Sequence, residues 1–260
     1  MQDFLEIGGR KIRSRLFVGT GKFAGNAIMR SALVASGCEV VTVALRRIDF
    51  SAGSENILTA VPDGCTVMIN TSGARTAEEA VRIARLAKAS GAGNWIKIEV
   101  IADSRHLLPD NVETLRAAEI LVKEGFVVFP YMSPDLSIAR RMADCGVAAV
   151  MPLGSPIGTN RGLRTKELVE IIISELQTPV IVDAGLGRPS DACLCMEMGC
   201  AAVLVNTAIA VARDPAGIAE AFGAAVRAGR TAYLSGIPAS TRHARSSSPL
   251  TGFLDRVEDN

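Results

Sequence analysis

The sequence predicts a single parallel (β/α)8 barrel, and three observations lead there. First, short β-branched runs alternate with longer segments of helical period along the chain, the signature of a parallel sheet covered by helices. Second, eight such runs follow one another with no linker between them, at residues 15–18, 40–45, 67–70, 95–100, 127–130, 148–151, 180–183 and 202–206. Third, 48% of the 260 residues are hydrophobic but only 4% are aromatic, so Val, Ile, Leu and Ala must fill the core. That diet suits strands buried on both faces. A doubly wound open sheet is the runner-up, but eight units in one unbroken chain call for closure.

The elements are read in order. Residues 1–14 form an N-terminal cover over the barrel floor. Helical segments are expected at 77–90, 111–124, 138–144, 165–176 and 190–198, where apolar residues recur with a period near 3.6. Gly37, Gly91, Gly125, Gly146 and Gly199 each stand after a helical run and just before a strand, where a left-handed residue ends a helix. Residues 235–260 are polar and read as a tail wrapped on the barrel top or on a neighbouring subunit. The whole chain, 1–260, is one domain.

Composition excludes several classes. With 28 basic and 27 acidic residues, the net charge of +1 offers neither a nucleic-acid groove nor a polybasic membrane patch. The longest apolar stretch, 201–212, is interrupted by Asn206 and Thr207, and a bilayer span needs about 20 apolar residues. The N-terminus is mixed and charged, so no signal peptide is expected. Six cysteines form no CxxC module, which points to a reducing compartment without disulfides. The expected location is the cytoplasm. Cys193 and Cys195 stand two apart on a helical segment and face different ways, and His106 and His243 are the only histidines, so no metal site is expected. Gly19-Thr20-Gly21-Lys22 lacks the spacing of a phosphate-binding P-loop, and Gly185-Leu186-Gly187 lacks the third glycine of a dinucleotide fingerprint. No cofactor is expected.

Barrel active sites lie at the C-terminal ends of the strands. The fourth predicted strand carries Lys97 and Glu99 with the same parity as Trp95, while Ile96, Ile98 and Val100 form the opposite, helix-facing set. Lys97 and Glu99 therefore point into the barrel. Desolvation is expected to lower the Lys97 pKa and free its amine, which imine chemistry requires. The plain alternative is a structural lysine–carboxylate pair. Asp183 ends the seventh strand at the same rim and is read as a group that orients the ammonium, as a proton shuttle, or as the cap of the following turn. Loops after the seventh and eighth strands, with Ala184 to Gly187 and Asn206-Thr207, are the frequent phosphate site of such barrels. The long loop 152–162, rich in Gly, Pro and hydroxyls, is read as a binding loop. The turns at 19–22 and 70–73 are read as lining.

These segments resemble one family. Residues 70–74 (Asn-Thr-Ser-Gly-Ala), 94–99, 151–158 (Met-Pro-Leu-Gly-Ser-Pro-Ile-Gly), 182–185 (Val-Asp-Ala-Gly), 203–210 and 248–253 are similar to bacterial thiazole synthase of thiamine biosynthesis, over nearly the whole chain. The resemblance implies a synthase that condenses 1-deoxy-D-xylulose 5-phosphate, dehydroglycine and sulfur carried as a thiocarboxylate on a ubiquitin-like sulfur-carrier protein. It implies the imine on Lys97, proton transfers by Glu99 and Asp183, and substrate binding at Gly158, Ala184, Gly185, Asn206 and Thr207. It further implies no metal in this subunit and a homo-oligomer, expected as a tetramer. Two other readings compete: a class I aldolase on another sugar phosphate, and a catalytically silent scaffold that docks a carrier protein.

Overall fold

The computed structural model describes residues 3–48 and 56–244. A short antiparallel hairpin, β1 (Leu5–Ile7) and β2 (Arg10–Ile12), precedes eight parallel strands. These are β3 (Leu16–Gly19), β4 (Val40–Ala44), β5 (Thr66–Asn70), β6 (Trp95–Ile98), β7 (Val127–Met132), β8 (Met151–Pro152), β9 (Ile181–Asp183) and β10 (Ala202–Val205). Their spatial order is β8-β7-β6-β5-β4-β3-β10-β9. Parallel bridges Val150–Val180 and Leu153–Asp183 join the two ends, so the sheet closes as the alternating pattern predicted. The sixth predicted strand, 148–151, is displaced: its regular ladder begins only at Met151. The earlier residues still build the wall, through Ala148 N–H donating to the Val128 carbonyl at 2.9 Å and through the Val150 bridge.

The helices are α1 (Asn26–Ser36), α2 (Ala77–Ala89), α3 (Asn111–Lys123), α4 (Leu136–Asp144), α5 (Lys166–Glu175), α6 (Pro189–Glu197), α7 (Thr207–Ala210) and α8 (Pro215–Ser235). Three helix starts follow from caps, two of them at the expected residues 77 and 111 and the third at Leu136, two residues before the expected 138. Thr76 accepts from the Glu79 N–H, Asp110 from Val112 and Glu113, and Asp135 from Ile138, satisfying amides that a helix start leaves free. The five pre-strand glycines all have positive φ, between 64° and 95°. After β4, the described residues hold only 3-10 turns, Leu45–Arg47 and Ile57–Ala60, in place of a regular helix.

Parity sorts the strands into two cores. Ile96, Ile98 and Val100 pack outward with helix residues such as Ala80, Ala84, Ala117 and Leu121. Trp95 packs inward with Phe17, Val40, Met68, Phe129, Met151, Ile181 and Leu204. Leu5, Ile7 and Ile12 of the hairpin join this inner group, so the cover fills the barrel from the floor. Trp95 and Phe129 hold ring centroids 5.0 Å apart. Each such buried side chain contributes roughly 1.5–3 kcal/mol. Asp3 ties the cover down: its carboxylate accepts from Arg15 at 2.8 and 3.0 Å and from Arg230 of α8 at 2.8 and 2.9 Å. With the floor filled, open space remains at the other end, where the strands terminate.

The described part of the expected tail, 236–244, is exposed and carries no regular element. The motif at 248–253 lies outside the described residues. No helix among the described residues is long and apolar enough to cross a membrane.

Candidate active site

A cavity of about 400 Å³ opens at the C-terminal rim of the strands. Lys97, Glu99, Asp183, Gly158, Ala184, Gly185, Asn206 and Thr207 all line it, with Thr20 to Lys22, Asn70 and Ser72 of the two turns read as lining, whereas Gly187 does not. Lys97 and Glu99 come from β6 and its end, Asp183 from the last position of β9. The Lys97 Nζ lies 2.9 Å from Glu99 Oε1 and 2.5 Å from Asp183 Oδ2. The Glu99 contact is an aligned hydrogen bond. The Asp183 contact is an ion pair outside hydrogen-bond angles, for Asp183 Oδ2 has no hydrogen-bond partner. The three side chains are 6%, 9% and 3% exposed, so their charges interact at close range with little solvent between them.

This geometry corrects one expectation. Burial does pull the Lys97 pKa down, and it is the largest single influence. The charge attraction of Asp183 and then of Glu99 outweighs it, and the net shift is upward. The resting amine is an ammonium. Asp183 is pushed up too, by burial first; Lys97 opposes that, and the nearby Glu99 adds to it. Lys97 thus carries a proton beside a carboxylate whose own affinity for protons is raised.

Local structure fixes these groups. Thr71 locks the end of β6: its Oγ1 accepts from the Glu99 N–H at 2.8 Å and donates to the Glu99 carbonyl at 2.9 Å. Beyond Asp183 the chain makes two left-handed steps, Ala184 at φ 64° and Gly185 at φ 79°. A Cβ on Gly185 would sit 2.6 Å from both the backbone N and the carbonyl O of Ser155, so only glycine lets the two loops approach. The long loop is pinned there as well. Gly154 N–H donates to the Asp183 and Ala184 carbonyls, Gly162 N–H to the Gly185 carbonyl, and Ser155 Oγ to the Gly162 carbonyl. Asn206 is the N-terminal flank of α7, which is a single short turn.

The cavity also holds residues that sequence reasoning left out. Arg46 and Arg47, from the 3-10 turn after β4, stand on one side with Lys22. Arg46 Nη2 donates to Ser72 Oγ at 3.1 Å, and Arg47 Nη1 donates to the Thr20 carbonyl. Ile101 and Leu107, from the segment that follows β6, line the cavity too. Tyr131 of β7 is fully buried beside the site, with its ring centroid 5.3 Å from Lys97 Nζ and its hydroxyl unpartnered. Burial, Asp183 and Glu99 all push its phenol pKa up. Parity with Phe129 would have found it, but the predicted strand stopped at Pro130, while β7 runs to Met132.

Fold and cavity together define a class: a (β/α)8-barrel enzyme whose ionisable groups gather at the C-terminal rim of the strands. Residues 6–249 match the family model of the thiazole biosynthesis protein ThiG. The thiazole synthase of Pelotomaculum thermopropionicum is 65% identical over 254 residues, 98% of this chain and 99% of that one. That of Acetivibrio thermocellus is also 65% identical, over 98% of this chain and 100% of its own. Among solved structures, the Amycolatopsis orientalis BexX/CysO complex superposes with a TM-score of 0.81 at 31% identity, covering 94% of this chain and 100% of that one. Mandelate oxidase, with a TM-score of 0.61 at 16% identity, covers 89% of this chain and 79% of its own and shares the fold. The chain belongs to the thiazole biosynthesis protein ThiG family.

Proposed function

We propose that this chain is a cytoplasmic thiazole synthase that holds 1-deoxy-D-xylulose 5-phosphate as an imine on Lys97. The carrying observation is the buried Lys97 side chain held within 2.9 Å of Glu99 and 2.5 Å of Asp183 in a rim cavity. Attack on a ketone needs the neutral amine, so the first step moves the Lys97 proton to Asp183, whose proton affinity burial has raised. The amine adds to the C2 carbonyl. The carbinolamine takes a proton on its hydroxyl and leaves water, giving the iminium. Glu99 then accepts a proton from C3. The resulting enaminol ketonises at C3, so the carbonyl has moved one carbon along the sugar and C2 keeps the lysine as an amine.

The thiocarboxylate sulfur of a ubiquitin-like carrier adds to the C3 carbonyl carbon, the acyl group passes from sulfur to the C3 oxygen, and that oxygen leaves with it as the carrier's carboxylate, so C3 becomes a thioketone. Dehydroglycine supplies the ring nitrogen and the last carbon: its nitrogen takes the place of the lysine amine on C2, which frees Lys97, its carbon bonds the sulfur, and the C4 hydroxyl leaves as water as the thiazole forms. The glycine turn at Ala184 and Gly185, with Gly158, Asn206 and Thr207, binds the phosphate end through backbone N–H groups and short polar side chains. Lys22 adds positive charge there, since a Cβ on Gly158 would stand 2.8 Å from its Nζ. BexX, 31% identical, was solved with CysO bound, which supports a carrier docked at this barrel mouth too. The assembly is a homo-oligomer, a tetramer.

The test is intact mass after borohydride reduction with 1-deoxy-D-xylulose 5-phosphate, followed by peptide mapping. One reduced adduct on Lys97, absent from Lys97→Ala, is the expected result. Folded protein that gives no adduct, with or without carrier, overturns the imine.

A further inference from the structure

Resting on that reading, we infer that Ile101 and Leu107 form an apolar wall that recognises the methyl end of the ketone and rejects a hydroxymethyl there. Topology sets the direction. β6 and β10 are four strands apart either way round the ring, so they face each other across the barrel. Lys97 rises from β6, whereas Gly185, Asn206 and Thr207 lie after β9 and β10. A ketose phosphate joined to Lys97 through C2, with its phosphate at those loops, runs C3 to C5 away from β6. C1 must then turn back toward the β6 side.

On that side the lining is built from β6 itself. Lys97, Glu99 and Ile101 share one parity, the Ala74–Val100 bridge extends the pairing past β6, and Ile101 lines the cavity with them. Leu107 returns from the loop that follows. Among the described residues that line the cavity, these are the apolar side chains of the β6 side; Ile157 and Leu186 belong to the phosphate side, and Leu204 to the inner core.

The loop is made to hold Leu107 where it is. Asp103 accepts from the Arg105 and His106 N–H groups at 2.8 and 3.1 Å, and the Leu107 N–H donates to the Asp103 carbonyl at 3.2 Å. Ile101 N–H donates to the Ala74 carbonyl and Asp110 N–H to the Val100 carbonyl, both at 2.9 Å, which pins the two ends. Leu107 itself sits at φ 54°, a left-handed conformation that is uncommon for a leucine. Glycine or asparagine would meet the backbone requirement with less strain. Leu107 takes this conformation half-buried in the cavity lining, so the strained backbone presents an apolar side chain to the site.

A wall of this kind leaves an added hydroxyl without a partner. Hydrophobic pockets reject such an isostere by up to about a hundredfold. The experiment compares borohydride capture of 1-deoxy-D-xylulose 5-phosphate with that of D-xylulose 5-phosphate, which differs by the C1 hydroxyl. Full-length wild type, Leu107→Asn and the double variant Leu107→Asn with Ile101→Thr are assayed, with thermal melts to establish folding. Asparagine suits the left-handed position, so folding is retained. Wild type is expected to capture the deoxy sugar roughly 10- to 100-fold more efficiently, with the ratio falling below about threefold in the double variant. Equal capture by wild type, or a ratio that survives both substitutions, overturns the wall and leaves the imine standing. Wild type that captures neither sugar overturns the imine reading and the wall with it.

Discussion

Replacing Lys97 with methionine tests the electrostatics of the site through stability. Methionine keeps the length of the stem and fills its space, so packing loss is small. What disappears is the charge between two carboxylates that are 9% and 3% exposed. Removing one partner of a buried pair costs about 3–5 kcal/mol. In a chain of this size each kcal/mol moves the melting temperature by about 2–4 °C, so a loss of roughly 6–20 °C is expected at pH 8. The loss depends on pH. The folded-state pKa of Asp183 is raised by burial even beside Lys97, and without the ammonium it rises further. A carboxyl with a folded pKa above its unfolded value, about 3.9, stabilises fully below that value. That contribution is lost as pH rises through the folded pKa. Lys97→Met therefore approaches wild type near pH 4 and falls away from it toward pH 8. Melts by circular dichroism at fixed protein concentration follow both arms. A variant as stable as wild type at pH 8, or an equal deficit at pH 4 and pH 8, would refute the assignment of Lys97 as the neutralising charge.

Other outcomes follow from the same geometry. With its pKa raised by the carboxylates, Lys97 should react slowly with acetic anhydride at pH 7 in the absence of substrate. Mass-mapped labelling that finds it among the fastest lysines would show a free resting amine. Gly185→Ala should cost about 1–2 kcal/mol from its left-handed backbone alone, and more from its collision with Ser155. It should weaken capture of the phosphorylated ketose; unchanged melting and capture would count against the close approach of the two loops. Asp3→Ala strands the Arg15 guanidinium, whose side chain is 7% exposed. With Asp3 itself 31% exposed, roughly 1–3 kcal/mol is expected at pH 7. Arg230 above all, and Arg15, hold the Asp3 carboxyl below the usual range, so this stabilisation is present above about pH 4 and fades below it. The difference between variant and wild type should close on acidification; a difference that widens would contradict it.

Two helices illustrate where pattern reading failed. α8 carries Gly217, Gly223 and Gly229, which lower its local helical propensity. In the structure Gly223 and Gly229 are contact points: an added Cβ would come 2.7 Å from the Ser36 carbonyl of α1 and would collide with Cys193 of α6. The glycines that weaken the helix locally are the ones that let it lie close against two neighbours. α1 likewise lacks a side-chain cap, and its flanking Gly25 gives little to mark its start.

The sequence by itself determined the barrel, because a parallel strand needs its two-residue period and its flanking helices whatever surrounds it. It also determined Lys97, Glu99 and Asp183 as rim residues, because parity and position along a strand are properties of the chain. Tertiary structure decided the rest. Whether Lys97 rests as amine or ammonium depends on what stands 2.5 and 2.9 Å away, and Asp183 is brought there from 86 residues downstream by barrel closure. Arg46, Arg47 and Leu107 come from turns without periodicity, and Tyr131 from a strand that outran its β-branched run. Their places follow from hydrogen bonds and close approaches between distant segments, which no local pattern encodes.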